Sequence, residues 1–312
     1  MNDVSPLKIS CGQCKSHLDV SDLEPFSVVD CPVCGAHVRV PMRFDRYLLE
    51  KVCGSGSSTT VYRALDPQLS RRVAVKVLDA SADAADEPEK RFLAEAKLVA
   101  RLNHPGILPV YNCGVCEGRP YLVMRFMDRG DLGEMMTRGE LPPTGELLAI
   151  VAAVAEALLY ASRTAKVVHH DVNPSNILLA EGNEVRLGNF ELADVREFGD
   201  QSPCVVEWVS PAYVSPERLY TGGEDVRGDI FSLGATLYEL LSGEPPFGAD
   251  GEVEELYERR RMMAFRELDT FRADLPESLT GMISHMLDFE PDCRPPYPEV
   301  IRELRVGIAN CR

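Results

Sequence analysis

Apolar and polar positions alternate in short runs through the first third of the chain. Tyr47 to Val52, Thr60 to Leu65 and Val73 to Leu78 each read as a strand, because residues two apart share one face of a pleated ribbon. From about Glu89 to Leu102 the apolar spacing becomes helical, which predicts an amphipathic helix stopping at Asn103-His104-Pro105-Gly106. A hairpin pattern follows from Ile107 to Met124, and beyond Asp131 the pattern is mainly helical. The prediction is a small sheet-rich unit followed by a larger helical one, an α+β arrangement. Leu18-Asp19-Val20 and Val38-Arg39-Val40 read as two further short strands near the start.

Those two strands flank the densest chemistry in the sequence. Cys11-Gly12-Gln13-Cys14 and Cys31-Pro32-Val33-Cys34 are two thiol pairs separated by sixteen residues. That spacing lets two tight turns converge on one tetrahedral zinc ion, with Cys11, Cys14, Cys31 and Cys34 as ligands. A segment this short cannot bury enough apolar area to fold alone, so metal would supply its stability. His17 and His37 each follow a cysteine by three residues, but with four thiolates available they read as surface residues. A third pair, Cys113 and Cys116, falls in the predicted hairpin turn. It reads as coincidence, with a redox pair or a second metal site as alternatives.

Composition narrows the partners. The 312 residues carry a formal net charge of -16, with 45% hydrophobic and 26% charged residues. An acidic chain does not attract nucleic acid or anionic membrane. The segment Met1 to Pro41 has three basic and five acidic side chains, so the ribbon is read as a structural or partner-docking module. Met1 to Ser10 lacks a basic start and an apolar core, and the apolar run Leu147 to Ala161 is interrupted by Glu156 and too short to span a bilayer. The expected location is the cytoplasm, and the expected partner a protein. The sequence leaves the oligomeric state open.

From about Phe44 onward the chain resembles bacterial eukaryotic-like (Hanks-type) Ser/Thr protein kinases. The resemblance rests on Gly54-Ser55-Gly56-Ser57-Ser58-Thr59-Thr60-Val61, Val73-Ala74-Val75-Lys76, His169-His170-Asp171-Val172-Asn173-Pro174-Ser175-Asn176 and Pro211-Ala212-Tyr213-Val214-Ser215-Pro216-Glu217. It implies a bilobal protein-kinase-like fold over residues 42–312, preceded by a zinc ribbon over 1–41, with the lobes dividing at 126/127. It implies ATP as the cofactor, with Cys53, Gly54 and Gly56 covering the phosphates. Lys76 would pair with the α- and β-phosphates and be held by Glu95. Val61, Ala74 and Leu178 would sandwich the base, Met124, Arg125 and Met127 would form the gatekeeper and hinge, and Asp131 would lie near the ribose. Asp171 would accept or orient the substrate hydroxyl proton, and Asn176 would coordinate magnesium. Glu217 would pair with Arg294.

Three departures bear on activity. Asn189, in Gly188-Asn189-Phe190-Glu191, stands where such kinases carry the aspartate that grips magnesium. An amide oxygen binds that ion weakly and leaves its charge unneutralised. Losing part of the metal's contribution would slow transfer by roughly two to four orders of magnitude. Glu191 could reach the metal instead, or point to solvent. His170 replaces the arginine that holds an activation-loop phosphate, and Asn173 the lysine that reaches the transferred phosphoryl group. Ser202, Ser210, Tyr213 and Ser215 are the only hydroxyls between Asn189 and Glu217. The reading is a pseudokinase acting through partners, with a weak Ser/Thr protein kinase as the alternative.

Overall fold

The computed structural model describes residues 7–56, 58–79, 87–195, 210–221 and 223–311. The backbone divides into two compact units, Met1–Ala96 with Pro109–Phe126, and Lys97–Leu108 with Met127–Arg312.

The first unit opens with two hairpins. β1 (Lys8–Ser10) pairs with β2 (His17–Asp19), and β3 (Val28–Asp30) with β4 (His37–Arg39). The second hairpin repeats the first at an offset of twenty residues: Ser10 meets His17 across one, Asp30 meets His37 across the other. In each, the Cys-x-x-Cys turn joins the strands. Alternation sends Leu18, Val20 and Val40 inward onto buried Cys11 and Cys31.

Next comes a six-stranded antiparallel sheet of β5 (Met42–Phe44), β6 (Tyr47–Ser55), β7 (Thr59–Asp66), β8 (Arg71–Leu78), β9 (Val110–Cys116) and β10 (Arg119–Arg125), ordered β5-β6-β7-β8-β10-β9. α1 (Glu87–Val99) lies between β8 and β9 in sequence. Every residue from Val73 to Leu78 is buried, because both faces of the sheet are covered. Val73, Val75 and Val77 share one face with Phe44, Tyr47, Leu49 and Tyr121. Leu78 and Leu122 pack on Phe92 and Ala96 of α1 on the other. Phe26, from the loop between the cysteine hairpins, closes the margin of the first face by stacking on Tyr62 at 6.0 Å and 11°.

Cys113 and Cys116 lie within β9, not in a turn. The turn is Glu117-Gly118, both with positive φ, as a two-residue hairpin connection demands. Three residues apart on a strand, the two thiols point to opposite faces, and Cys116 Sγ accepts from Asp45 N at 3.2 Å.

The second unit is helical around small strands. β11 (Gly130–Asp131) leads into α2 (Leu132–Arg138) and α3 (Thr144–Ala165). β12 (Val167–Val168) and β15 (Asp194–Val195) pair with each other, and β13 (Ile177–Ala180) with β14 (Glu184–Leu187). α4 (Pro216–Thr221), α5 (Val226–Ser242), α6 (Val253–Arg261), α7 (Glu277–Met286) and α8 (Tyr297–Asn310) complete it. The apolar run predicted too short for a bilayer belongs to the 22 residues of α3, long and apolar enough to cross a membrane by length and composition alone. Ten of its side chains are buried within the unit, and it packs on α8 and α5. α5 is buried along almost its whole length, and a Cβ at Gly234 would sit 2.7 Å from Met286 Cβ. Only glycine permits that approach of α5 and α7.

Candidate functional site

In the first unit, strand alternation points Lys76 away from the Val73, Val75 and Val77 face and toward α1. Its Nζ donates to Glu95 Oε2 at 2.8 Å, and both side chains are buried. A lone buried ammonium would be costly, so the pair holds both groups in place. Val61 opposes Lys76 on β7, and Ala74 opposes Met124 on β10. Ala74 and Met124 are buried, whereas Cys53, Gly54 and Gly56 are exposed at the end of β6. Gly56 N donates to Thr59 O at 2.7 Å, and Thr60 Oγ1 donates to the Asp79 carboxylate, so the hairpin is stitched to the end of β8. Ser57 lies outside the described residues.

In the second unit, Asp131 caps α2, its Oδ1 accepting from Glu134 N at 2.8 Å. Across β11 and β13 it pairs with Leu178. Met127 is buried and its carbonyl accepts from Gly130 N. These partners place Asp131 in a helix cap, a role its motif position did not disclose.

Asp171 sits in a ring of three amides. Its Oδ1 accepts from Asn173 Nδ2 at 2.8 Å, and its Oδ2 from Asn176 Nδ2 at 2.8 Å and Asn189 Nδ2 at 3.2 Å. Asn173 also caps the turn Pro174–Asn176, and Gly188 N donates to Asn176 O, which ties the start of β13 to the end of β14. Asn189 takes a left-handed backbone at φ 59, a conformation that asparagine and aspartate adopt more readily than most side chains. Burial pushes the Asp171 carboxyl up to about 6, against the lowering effect of Asn176 and Asn173, with Glu191 adding to the rise. His169 is fully buried against Phe190 and held near 4 by that burial, so it is neutral; its Nε2 meets Gly188 O at 3.0 Å.

This donor set fits magnesium only in part. The two residues expected to ligate it, Asn176 and Asn189, direct their NH₂ groups at Asp171 and can offer the ion only an uncharged amide oxygen each. A carboxylate in place of Asn189 would instead face Asp171 across a gap that asks for a cation.

His170 is buried and directed at a buried carboxylate, Glu224, at 2.6 Å. Glu224, together with Arg218, escaped the sequence reading. Their partners lie 54 and 6 residues apart, and only Gly228, discussed below, could have hinted at them. Ser202 lies outside the described residues. Arg294 binds Glu217 in the expected bidentate pair, at 2.7 and 2.8 Å.

The four N-terminal thiols converge, their sulfurs lying within 4.8 Å of one another. Cys11 to Cys34 and Cys14 to Cys31 are each 3.7 Å. A tetrahedron of sulfurs about 2.3 Å from zinc has edges of about 3.8 Å, so the cluster fits that ion. The Ser16 hydroxyl, 3.3 Å from Cys31 Sγ, helps bring that thiol down to about 6. His17 and His37 are exposed and turn to Ser10 and Asp30 instead of the sulfurs.

The protein kinase domain model matches residues 47–304. The serine/threonine-protein kinase PknL of Mycobacterium tuberculosis (strain H37Rv) is 38% identical over 217 residues, 69% of this chain and 53% of that protein. PknB of Mycobacterium leprae is 38% identical over 233 residues, 71% of this chain and 36% of that protein. The chain therefore spans about half the length, or less, of these curated relatives. The crystal structure of the PknI kinase domain of Mycobacterium tuberculosis matches with a TM-score of 0.65 at 30% identity, covering 86% of this chain and 98% of that one. On this match and these motifs, the chain belongs to the bacterial Hanks-type serine/threonine protein kinase family.

Proposed function

We propose that this chain is a pseudokinase: it binds ATP in a kinase-type site, transfers phosphate poorly, and acts mainly by engaging a protein partner in the cytoplasm. The observation that carries this reading is the Asn189 amide donating to Asp171. Phosphoryl transfer depends on positioning and on neutralising the charge of the phosphates. A neutral amide committed to the would-be base contributes little to either. Nucleotide binding depends on other groups, among them the closed Lys76–Glu95 pair. Zinc on Cys11, Cys14, Cys31 and Cys34 would hold the N-terminal hairpins as a docking module.

The alternative is a weak Ser/Thr protein kinase, the activity named for PknL and PknB. It is favoured by the retention of Asp171, Asn176, Lys76 and Glu95, and by an Asp171 carboxyl ionised at neutral pH. Autophosphorylation with labelled ATP separates the two. Asn189→Asp should transfer phosphate far faster than wild type, whereas equal rates would sink the pseudokinase reading. Calorimetric titration with ATP, with and without magnesium, should show wild-type binding that changes little with the metal.

A further inference from the structure

A buried acid beside the catalytic loop has no part in that reading. Glu224, just before α5, is buried, as are His170, Arg218 and Ser215. Its Oε1 accepts from His170 Nδ1 at 2.6 Å and Arg218 Nη1 at 2.8 Å, and its Oε2 from Ser215 Oγ at 2.5 Å. Arg218 Nη1 also donates to His170 O at 3.2 Å, and Ser215 Oγ accepts from Arg218 N at 3.3 Å. One carboxylate thus joins the residue preceding Asp171 to the start of α4.

Two further features show a built site. A Cβ on Gly228 would lie 1.7 Å from Glu224 Oε2, so the fold keeps room for this carboxylate. His170 holds a left-handed backbone at φ 66, a conformation that persists only where surrounding contacts fix it. Burial alone would push the Glu224 carboxyl up, yet His170 and Arg218 hold it down at about 2. Beside it, Asp229 accepts from His169 N and His170 N, both at 2.8 Å.

We propose that Glu224 is a positioning residue, an anion built into the fold that clamps the catalytic loop, so that Asp171 is held in place without any phosphate acquired by the chain. The functional meaning rests on Asp171 being the catalytic-loop acid of the proposed site. The clamp itself can be tested whether or not nucleotide binds.

The experiment is hydrogen exchange at the His169, His170 and Asp171 amides of the full chain. Glu224→Gln should speed exchange there by at least about tenfold, as expected when a buried charge-assisted hydrogen bond is lost. Phosphatase treatment of wild type should leave these amides protected. Gly228→Ala, which displaces the carboxylate, should reproduce Glu224→Gln and add little when combined with it. Glu224→Gln with Arg218→Met removes the cation that faces the neutralised side chain and should recover melting temperature without recovering loop protection. If protection returns together with melting temperature, Glu224 only balances charge and the proposal is overturned. It is equally overturned if phosphatase treatment strips the protection, or if Glu224→Gln leaves it intact. A wild type that binds no ATP would sink the nucleotide reading and leave this test standing.

Discussion

Replacing Asn189 with aspartate perturbs one atom group and leaves the backbone at ease, since aspartate also tolerates the left-handed conformation found there. Two energies change. The Asn189 Nδ2 bond to the Asp171 carboxylate is lost, which for a hydrogen bond to a charged group amounts to about 1.5–3 kcal/mol. In its place two carboxylates face each other at close to the present 3.2 Å. At an effective dielectric of about 20, that repulsion is about 5 kcal/mol before relaxation. The pair relieves it by binding a proton, which Asp171 already holds up to about 6, or by binding a divalent cation.

Asn189→Asp should therefore melt lower than wild type at pH 8 without magnesium; with about 3–4 kcal/mol of that total surviving relaxation, the drop is roughly 6–16 °C at about 2–4 °C per kcal/mol. Millimolar magnesium should restore most of the loss, and so should acidification below pH 6. Wild type should respond little to magnesium, because its own amide already supplies the donor. Differential scanning calorimetry on both proteins, with and without the metal, reads this directly. Equal stabilisation of both proteins by magnesium would refute the reasoning, as would a variant as stable as wild type at pH 8 in chelator.

Three further outcomes follow. Asp171 binds a proton more tightly folded than unfolded between its ordinary 3.8 and about 6; its contribution to stability is full below 3.8 and is lost as pH rises through about 6, about 3 kcal/mol in all. Carbon-13 titration of its carboxyl should give that midpoint, and any residual transfer by wild type should rise through the same pH; a midpoint near 3.8 would refute the burial argument. Arg294→Met removes the bidentate partner of Glu217 and the donor to the carbonyls of Asp288, Phe289 and Arg227, so denaturant unfolding should show a loss of about 3–5 kcal/mol, against which a loss below 1 kcal/mol would count. Cys31→Ser should reduce bound zinc from about one per chain to near none after dialysis against chelator, whereas Cys113→Ser should leave it unchanged; metal analysis decides.

Strand positions in β6 and β7 were legible because one residue in two is apolar there. β8 read as a strand as well, although burial on both faces leaves Lys76 as the single polar residue between Val73 and Leu78. The Lys76–Glu95 pair could be read because strand and helix motifs carry their own spacing. Cys113 and Cys116 were expected in the hairpin turn and lie in β9, with Gly114 between them. A Cβ at Gly114 would meet the Tyr121 hydroxyl at 2.7 Å. Phe26 on Tyr62 joins residues far apart in sequence with no periodic signal, and no pattern forecast that the loop between the cysteine hairpins packs on the sheet.

The same limit explains why Asn189 was easy to see and hard to interpret. Its position in a motif exposes the missing carboxylate, but what the amide does in the site depends on where its NH₂ points. In the fold, that group joins Asn173 and Asn176 in donating to the Asp171 carboxylate. On the far side of the loop, Glu224 holds the neighbouring His170. Under the proposed reading, amides and an acid of the chain itself complete a loop that metal and phosphate would otherwise complete. Asn189 and the Glu224 clamp would then act in the same direction, each removing a need for an added ion, and together they would favour a site whose shape is set without turnover.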